Sequence, residues 1–423
     1  MRTSRRTIAA AVAGAAAIAL IATGCSAGGG SGTDSNEKIT LTLGTFNNFG
    51  YTDEMLSEYT KLHPNVTIKQ NIAKTSDDAQ TNLFTKLAAG SGLSDVEAVD
   101  GDWMPKVKQY PDLFVDLAAA DNKGRYSDWK TAGGTANGKL IGLGTDIGPE
   151  AICYRADLLA AAGLGKTPEE VAKSLTGGWD AYYAAGEKYT AATGKAWFDS
   201  AGATFQGLAN QYQNFFEKDD GTVIATTNPD VKAAFQSVLK ASSTLSAHLQ
   251  EWTDDWAAGM AQGSYATMLC PAWMLGVIKG DSPDVKDWNI ANVFPNGGGN
   301  WGGSYLLVPT QGKNTAAAKE FADWLTAPEQ QISAFKTAGT FPSQVAAYTD
   351  PALTGAKNEF FNNAPIGTIF ADRANAVTVT PFKGINYGAI MGAVQNGLTR
   401  VEQGQQSVDD SWTQVVADIK ALG

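Results

Sequence analysis

The chain has 423 residues, 43% hydrophobic and only 18% charged, which is ample for a large folded core and argues against disorder over most of its length. A formal charge of −11, from 32 Lys and Arg against 43 Asp and Glu, repels phosphate backbones and anionic headgroups, so nucleic-acid binding is not expected. Two His (His63 and His248) and three Cys offer no spacing for a four-ligand zinc site, and the eleven Trp become the feature to explain.

Arg2, Arg5 and Arg6 precede an apolar run at 8–21, too short to span a bilayer and shaped like the core of a signal peptide. The run ends in Ile21-Ala22-Thr23-Gly24-Cys25, which resembles a bacterial lipobox, with Cys25 as the lipidated residue of the mature N-terminus. Residues 1–24 are thus expected to be a lipoprotein signal peptide and 25–37 a flexible Gly/Ser-rich tether. Loss of the signal removes three Arg and no acid, taking the formal charge from −11 to −14.

From residue 37 onward the pattern predicts a strand at 39–46 and a helix at 51–62, with Tyr51, Met55, Tyr59 and Leu62 on one face. The unit repeats as a strand at 66–72, a helix at 77–89 and a short strand at 95–99. This alternation implies right-handed crossovers and an open parallel sheet, with ligands bound beyond the carboxyl ends of its strands. The loops of interest then begin at Phe46, near Lys74 and at Asp100. A second extended stretch covers 140–154, followed by helices near 179–193 and 230–249, strands at 265–269 and 305–308, and a helix at 315–325. Beyond Phe341 the chain reads as largely helical, ending in an apolar stripe of Val408, Trp412, Val415, Val416 and Ile419.

Nucleotide motifs fail residue by residue. A phosphate loop ending at Gly165-Lys166-Thr167 needs Gly at 160 and has Ala160, while Gly142, Gly144 and Gly148 miss the dinucleotide spacing. There is no G-x-S-x-G elbow, and Asp219-Asp220-Gly221 lacks the upstream oxygen ligands of a calcium loop. Neither a cofactor nor a metal is expected. The pairs Asp77-Asp78 and Asp254-Asp255 sit at i,i+1 and read as solvated faces or caps. A glycosidase needs two carboxyls roughly 5 to 9.5 Å apart, which sequence alone leaves open.

The segments AQGSYATMLCPAWML (261–275), NWGGSYLLVP (300–309) and AAAKEFADWLTAPEQQ (316–331), with LAAGSGLSDV (87–96) and GKLIGLGTDIGPEAICYRADLLAAAG (138–163) upstream, resemble the extracellular solute-binding proteins of carbohydrate ABC importers, family 1. ICYRADLL, CPAWM, GGGNWGGSYLLVP, APIGTIFADR and RVEQGQQS are most similar to cellobiose- and cello-oligosaccharide-binding lipoproteins. Gly144 stands where relatives place Pro, and Thr176-Gly177-Gly178-Trp179 replaces a customary P-x-T-W; both are expected to alter the cleft's lip.

The resemblance implies an α/β, two-lobe periplasmic-binding-protein-like (type II) fold with a central cleft and hinge. Lobe 1 would be 38–147 plus 297–345, and lobe 2 would be 148–296 plus 346–423. It implies a monomeric, non-enzymatic receptor, lipid-anchored on the outer face of the plasma membrane, that delivers cellobiose or cellotriose to a permease powered by a cytoplasmic ATPase. Alternatives are a secreted glycoside hydrolase or a receptor for another polar solute such as a peptide.

A pyranose needs flat aromatic rings for its C–H faces and planar polar groups for its hydroxyl rim. The resemblance points to Trp273 as a stacking residue; Trp301, in its glycine-rich loop, is a second candidate or else a Trp buried against the sheet, and Trp103 with Asp102, just past a strand end, either contact the ligand or do not. Trp256 serves either the cleft or helix packing. Asn47, Asp102 and Asp146 are candidates for the rim, Asp146 alternatively for a turn or hinge contact, and Arg373 for either the rim or a surface ion pair. Trp324 and Trp412 fit packing stripes, and Trp129, Trp179, Trp197, Trp252 and Trp288 are unplaced. In an oxidising compartment Cys153 and Cys270 are expected to form a disulfide, the alternative being two buried thiols.

Overall fold

A computed structural model describes residues 37–119 and 123–422; the signal peptide 1–24, Cys25 and the rest of the tether to residue 36 lie outside the described residues. The first strands form where β-branched alternation predicts them, as β1 (Ile39–Phe46), β2 (Val66–Ala73) and β3 (Val96–Asp100). β1 pairs in parallel with both β2 and β3, and helices Asp53–Leu62 and Ser76–Ala89 make the crossovers. Thr52 and Thr75 cap these helices by accepting the amides of Met55 and Asp78. Asp77 and Asp78 lie in the second helix's first turn, and Asp254 and Asp255 occupy the same place in helix Asp254–Gln262, where negative charge complements the helix dipole.

After a short hairpin of β4 (Thr135–Ala136) and β5 (Lys139–Leu140), the extended stretch breaks into β6 (Leu143–Gly144), β7 (Asp146–Ile147) and β8 (Glu150–Arg155). β9 (Thr267–Pro271) and β10 (Trp288–Ala291) flank β8 in an antiparallel sheet ordered β10-β8-β9. The first sheet is ordered β2-β1-β3-β11-β6, where β11 (Ser304–Leu307) runs antiparallel to both neighbours. The expected open parallel sheet is therefore mixed. Ser304 pairs with Asp100, so the chain re-enters at the carboxyl end of β3 and can only run back along it.

Each sheet carries its own core. Leu41, Leu43, Val99, Leu306, Tyr59 and Phe321 pack around the first, with Trp324 half-buried against them. In β8 the side chains alternate: Ile152 and Tyr154 face a helical shell with Trp197, Phe235, Trp412 and Ile419, while Ala151 and Cys153 face Phe335, Phe341 and Phe370.

The sheets are joined where β6 leads through β7 to β8, where β10 leads to β11, and where helix Pro328–Ala338 leads to β12 (Phe341–Pro342). These crossings lie side by side. β7 pairs with β12, Pro149 bridges Asn300, and Trp301 donates its amide to the Gly148 carbonyl at 2.8 Å. A Cβ on Gly148 would sit 1.7 Å from the Trp301 carbonyl oxygen, so no other residue fits there without separating the crossings.

Cys153 and Cys270 form a disulfide between β8 and β9, with 5.4 Å between their Cα atoms and 117 residues of sequence separation. Peptide mapping without reductant is expected to recover the linked pair. The Cys153→Ala/Cys270→Ala variant should lose up to roughly 5 kcal/mol in the chain-entropy limit, read by denaturant melts.

Two carboxyls are enclosed beside the second sheet. Glu150 accepts from Asn210 Nδ2 at 3.1 Å through one oxygen and has no partner for the other; Asp199 accepts from the Ser200 amide and from Trp256 Nε1. Burial pushes Glu150 up to about 8 and Asp199 up to about 7. The folded chain thus keeps protons that the unfolded chain releases near pH ~4, and stability falls as pH rises from there toward 8. Buried Lys130, lowered to about 8, works in the opposite sense only above that pH. Thermal melts should give a higher midpoint near pH 5 than near pH 8, and Glu150→Gln should shallow the slope; a midpoint that rises over this window contradicts the assignment.

Candidate functional site

A cavity of about 790 Å³ lies between the two sheets, against the crossings. All three loops expected from the sequence contribute to it: Phe46 and Asn47 after β1, Thr75 to Asp77 after β2, and Asp100, Asp102 and Trp103 at the end of β3. The second sheet supplies Trp273 beyond β9, together with Glu251 and Trp252, and the crossings supply Asp146 and Trp301. Helices Ala201–Ala209 and Tyr387–Glu402 add Gln206 and Tyr387.

One wall is aromatic. The Trp252 and Trp273 rings stack with centroids 6.0 Å apart and planes 23° apart, and Trp301 stands edge-on to Trp273 at 5.4 Å and 81°. Trp273 Nε1 donates to the Trp301 carbonyl at 2.9 Å, fixing the indole to the crossing strand. Trp252 is 53% exposed and has a φ of 68°, an uncommon conformation for a large side chain. Trp103 presents an edge only. It is 5% exposed, packed near Phe46 and Phe84, with its Nε1 bonded to Ser76 Oγ.

The opposite rim is polar. Asn47 is exposed at the turn after β1 with φ 49°, a conformation Asn tolerates. Asp102 forms an ion pair with Lys383, whose own segment is tied to the helical shell of the second sheet by the Phe382 amide donating to the Gln213 carbonyl at 2.7 Å. Burial opposes the charge on Lys383, but Asp102 outweighs it and holds the ammonium above the ordinary lysine range. Asp100, accepting the Asp102 amide at 2.9 Å, is pushed up to about 7 by burial and by Asp102. Asp146 accepts from Thr145 Oγ1 at 2.6 Å and the Ser304 amide at 2.9 Å, so it both lines the cavity and stitches two crossings. Beneath it Lys130 donates to the Ser304 carbonyl at 3.0 Å and lies 3.8 Å from the centre of the Tyr305 ring.

The structure thus gathers Asn47, Asp102, Trp103, Asp146, Trp273 and Trp301 around one cavity. Trp256 and Arg373 lie off it. Trp256 is 1% exposed, its Nε1 bonded to Asp199 and its ring backing Trp252 at 5.2 Å. Arg373 Nη1 donates instead to the Gly297 carbonyl at 2.8 Å. The two departures expected at the cleft's lip are also elsewhere. Gly144 is buried in β6 over Lys130 and Ser343, and Trp179 starts a core helix with its Nε1 bonded to Gln211. Trp252, which the sequence leaves unplaced, belongs to the wall, whereas Trp256 of the same EWTDDW segment does not, because the helix beginning at Asp254 carries it into the core.

Residues 54–362 match the model of the bacterial extracellular solute-binding protein family. The arabinooligosaccharide-binding protein of Bacillus subtilis (strain 168) is 27% identical over 335 residues, 74% of each chain. The lactose-binding protein of Rhizobium radiobacter is 24% identical over 361 residues, 82% of each chain. Among solved structures, an extracellular solute-binding protein of family 1 is 43% identical, with a TM-score of 0.81 over 90% of this chain and 99% of that one. With the family matched over 54–362 and its two-lobe fold present, this chain belongs to the bacterial extracellular solute-binding proteins.

Proposed function

We propose that the protein is the receptor of a carbohydrate ABC importer, closing its lobes on a neutral oligosaccharide, cellobiose or cellotriose, and delivering it to a membrane permease. The observation that carries this reading is the wall of Trp252, Trp273 and Trp301 facing carboxylate and amide groups across one cleft. Aromatic faces suit the C–H faces of a pyranose, and charged acceptors make strong hydrogen bonds to its hydroxyls. Among the described residues, the acids Asp77, Asp100, Asp102, Asp146 and Glu251 and one cation, Lys106, line the cleft, so no cluster of cations is offered to an anionic group, which disfavours uronic acids and sugar phosphates. The binding proteins for arabinooligosaccharide and lactose among the relatives support a saccharide ligand.

Lobe 1 is assigned to 38–147 plus 297–345 and lobe 2 to 148–296 plus 346–423, a division supported by the core of the first sheet and by the helical core of the second, although Ile332, Phe335 and Phe341 pack on the second sheet's other face. Closure then bends the adjacent crossings. The protein acts as a monomer without catalysis, held at the outer face of the plasma membrane by lipid on Cys25. Trp273 and Trp301 stack on the sugar with Trp252, while Asn47, Asp102 and Asp146 take its hydroxyls at the rim and Trp103 lends an edge.

Calorimetry against cellobiose, cellotriose, xylobiose, maltose and lactose tests the assignment. Cellobiose or cellotriose should bind; binding of another disaccharide with failure of both removes the cello-oligosaccharide assignment, and binding of none removes the saccharide reading. Trp273→Ala should weaken binding at least tenfold, about 1.4 kcal/mol or more, and Asp102→Ala should cost on the order of 1 to 3 kcal/mol. Prolonged incubation with cellotriose should release no shorter sugar; release would favour the hydrolase alternative.

A further inference from the structure

Glu251 stands apart from the other acids around the cleft. Asp102 is paired with Lys383, Asp146 accepts from Thr145 and Ser304, and Asp100 accepts the Asp102 amide. Glu251 also lines the cavity, yet among the described residues its carboxylate has neither a hydrogen bond nor an ion pair. It immediately precedes Trp252, which has a positive φ and whose ring stacks on Trp273 with planes 23° apart. Backbone strain of this kind persists only where the surroundings enforce it. The result is an acceptor without donors held next to a stacking platform, as a sugar ring lying on that platform would need.

We propose that Glu251 is a specificity-determining residue of the cleft, accepting hydrogen bonds from adjacent hydroxyls of a pyranose stacked on Trp252. The inference rests on the oligosaccharide-receptor reading and names the acceptor that selects among saccharides. A ring whose hydroxyls point away from Glu251 would leave it unpaired in a desolvated site, so epimers and deoxy-sugars at that position are rejected.

The chemistry around Glu251 gives the proposal a distinct readout. Burial first, then Asp199 and Glu150, hold its carboxyl well above the usual range. Asp199 in turn faces Glu402, which accepts from Ser242 and Ser246 and lies 3.3 Å from His248 Nδ1. Lys383 acts on Glu150 rather than on Glu251, and the Tyr265 hydroxyl is held neutral by the same burial and acids. Asp254 and Asp255 in the following helix add only negative charge. Hydroxyl donors favour the ionised carboxylate. Sugar binding therefore shifts Glu251 toward the carboxylate and releases protons wherever the free carboxyl is still partly protonated, so affinity rises with pH across the range in which that carboxyl titrates.

The test is titration calorimetry of the full mature protein near pH 7, in phosphate and in Tris, using whichever of cellobiose, cellotriose, xylobiose, maltose or lactose the wild type binds. The wild type should show a binding enthalpy that differs between the buffers by the heat of proton uptake. Glu251→Gln should bind at least tenfold more weakly, with that difference abolished. Its unliganded melting midpoint should equal or exceed the wild type's, since the carboxyl makes no bond in the fold. A variant that binds within threefold of wild type, or that keeps the buffer dependence, overturns the assignment of Glu251 alone. Absence of binding by wild type to every sugar overturns the receptor reading itself and this inference with it.

Discussion

The contact between Gly148 and the Trp301 carbonyl governs how the molecule is assembled. Two sheets with separate cores have to communicate through strands that leave one and enter the other. Those strands run close enough to exchange hydrogen bonds because position 148 carries no side chain. Close crossings leave a cleft open on one side of a narrow joint. The carboxyl ends of β1, β2 and β3 deliver their loops to the same side, which is why Asn47, Ser76 and Asp102 meet Trp273 and Trp301 there although 171 to 254 positions separate them in sequence.

The joint also carries the binding surface. Trp301 is part of a crossing segment, and Trp273 is hydrogen-bonded to its carbonyl, so the aromatic wall is positioned by backbone rather than by flexible side-chain packing. Little rotamer freedom is left to lose when a ligand arrives. Asp146 follows the same logic, using one oxygen to hold Thr145 and Ser304 while facing the cavity. The Asp102 and Lys383 pair is different in kind, because it joins the loop after β3 to a segment bonded to Gln213 beside the second sheet's helical shell, and its attraction depends on those two parts staying close.

Local patterning disclosed most of the elements. The strand at 39–46 and the helices at 179–193 and 315–325 have the bounds that periodicity predicts, because each carries its own turn and burial signals. β10 went unread because Trp288–Ala291 is four residues long, includes a polar Asn289, and is a strand only through pairing with β8. The reversal of β11 was invisible for a related reason: its direction is set by a chain crossing, a property of topology. In the site, residues attached to strand ends were legible, whereas Trp252, Glu251 and Lys383 were not. These last three depend on a positive φ, on the lack of a partner and on a contact across the cleft, none of which has a sequence period.

The bond from Trp273 to the Trp301 carbonyl has an optical consequence. On the proposed lobe closure, an indole whose N–H is bound to the crossing at Trp301 and which lines the cleft changes its environment as the crossings bend. Trp197, Trp256 and Trp288 are enclosed in cores and contribute an almost constant background. Trp273 would then act as an intrinsic fluorophore at the crossings, and its emission wavelength would report the proposed closure of the cleft without any attached dye.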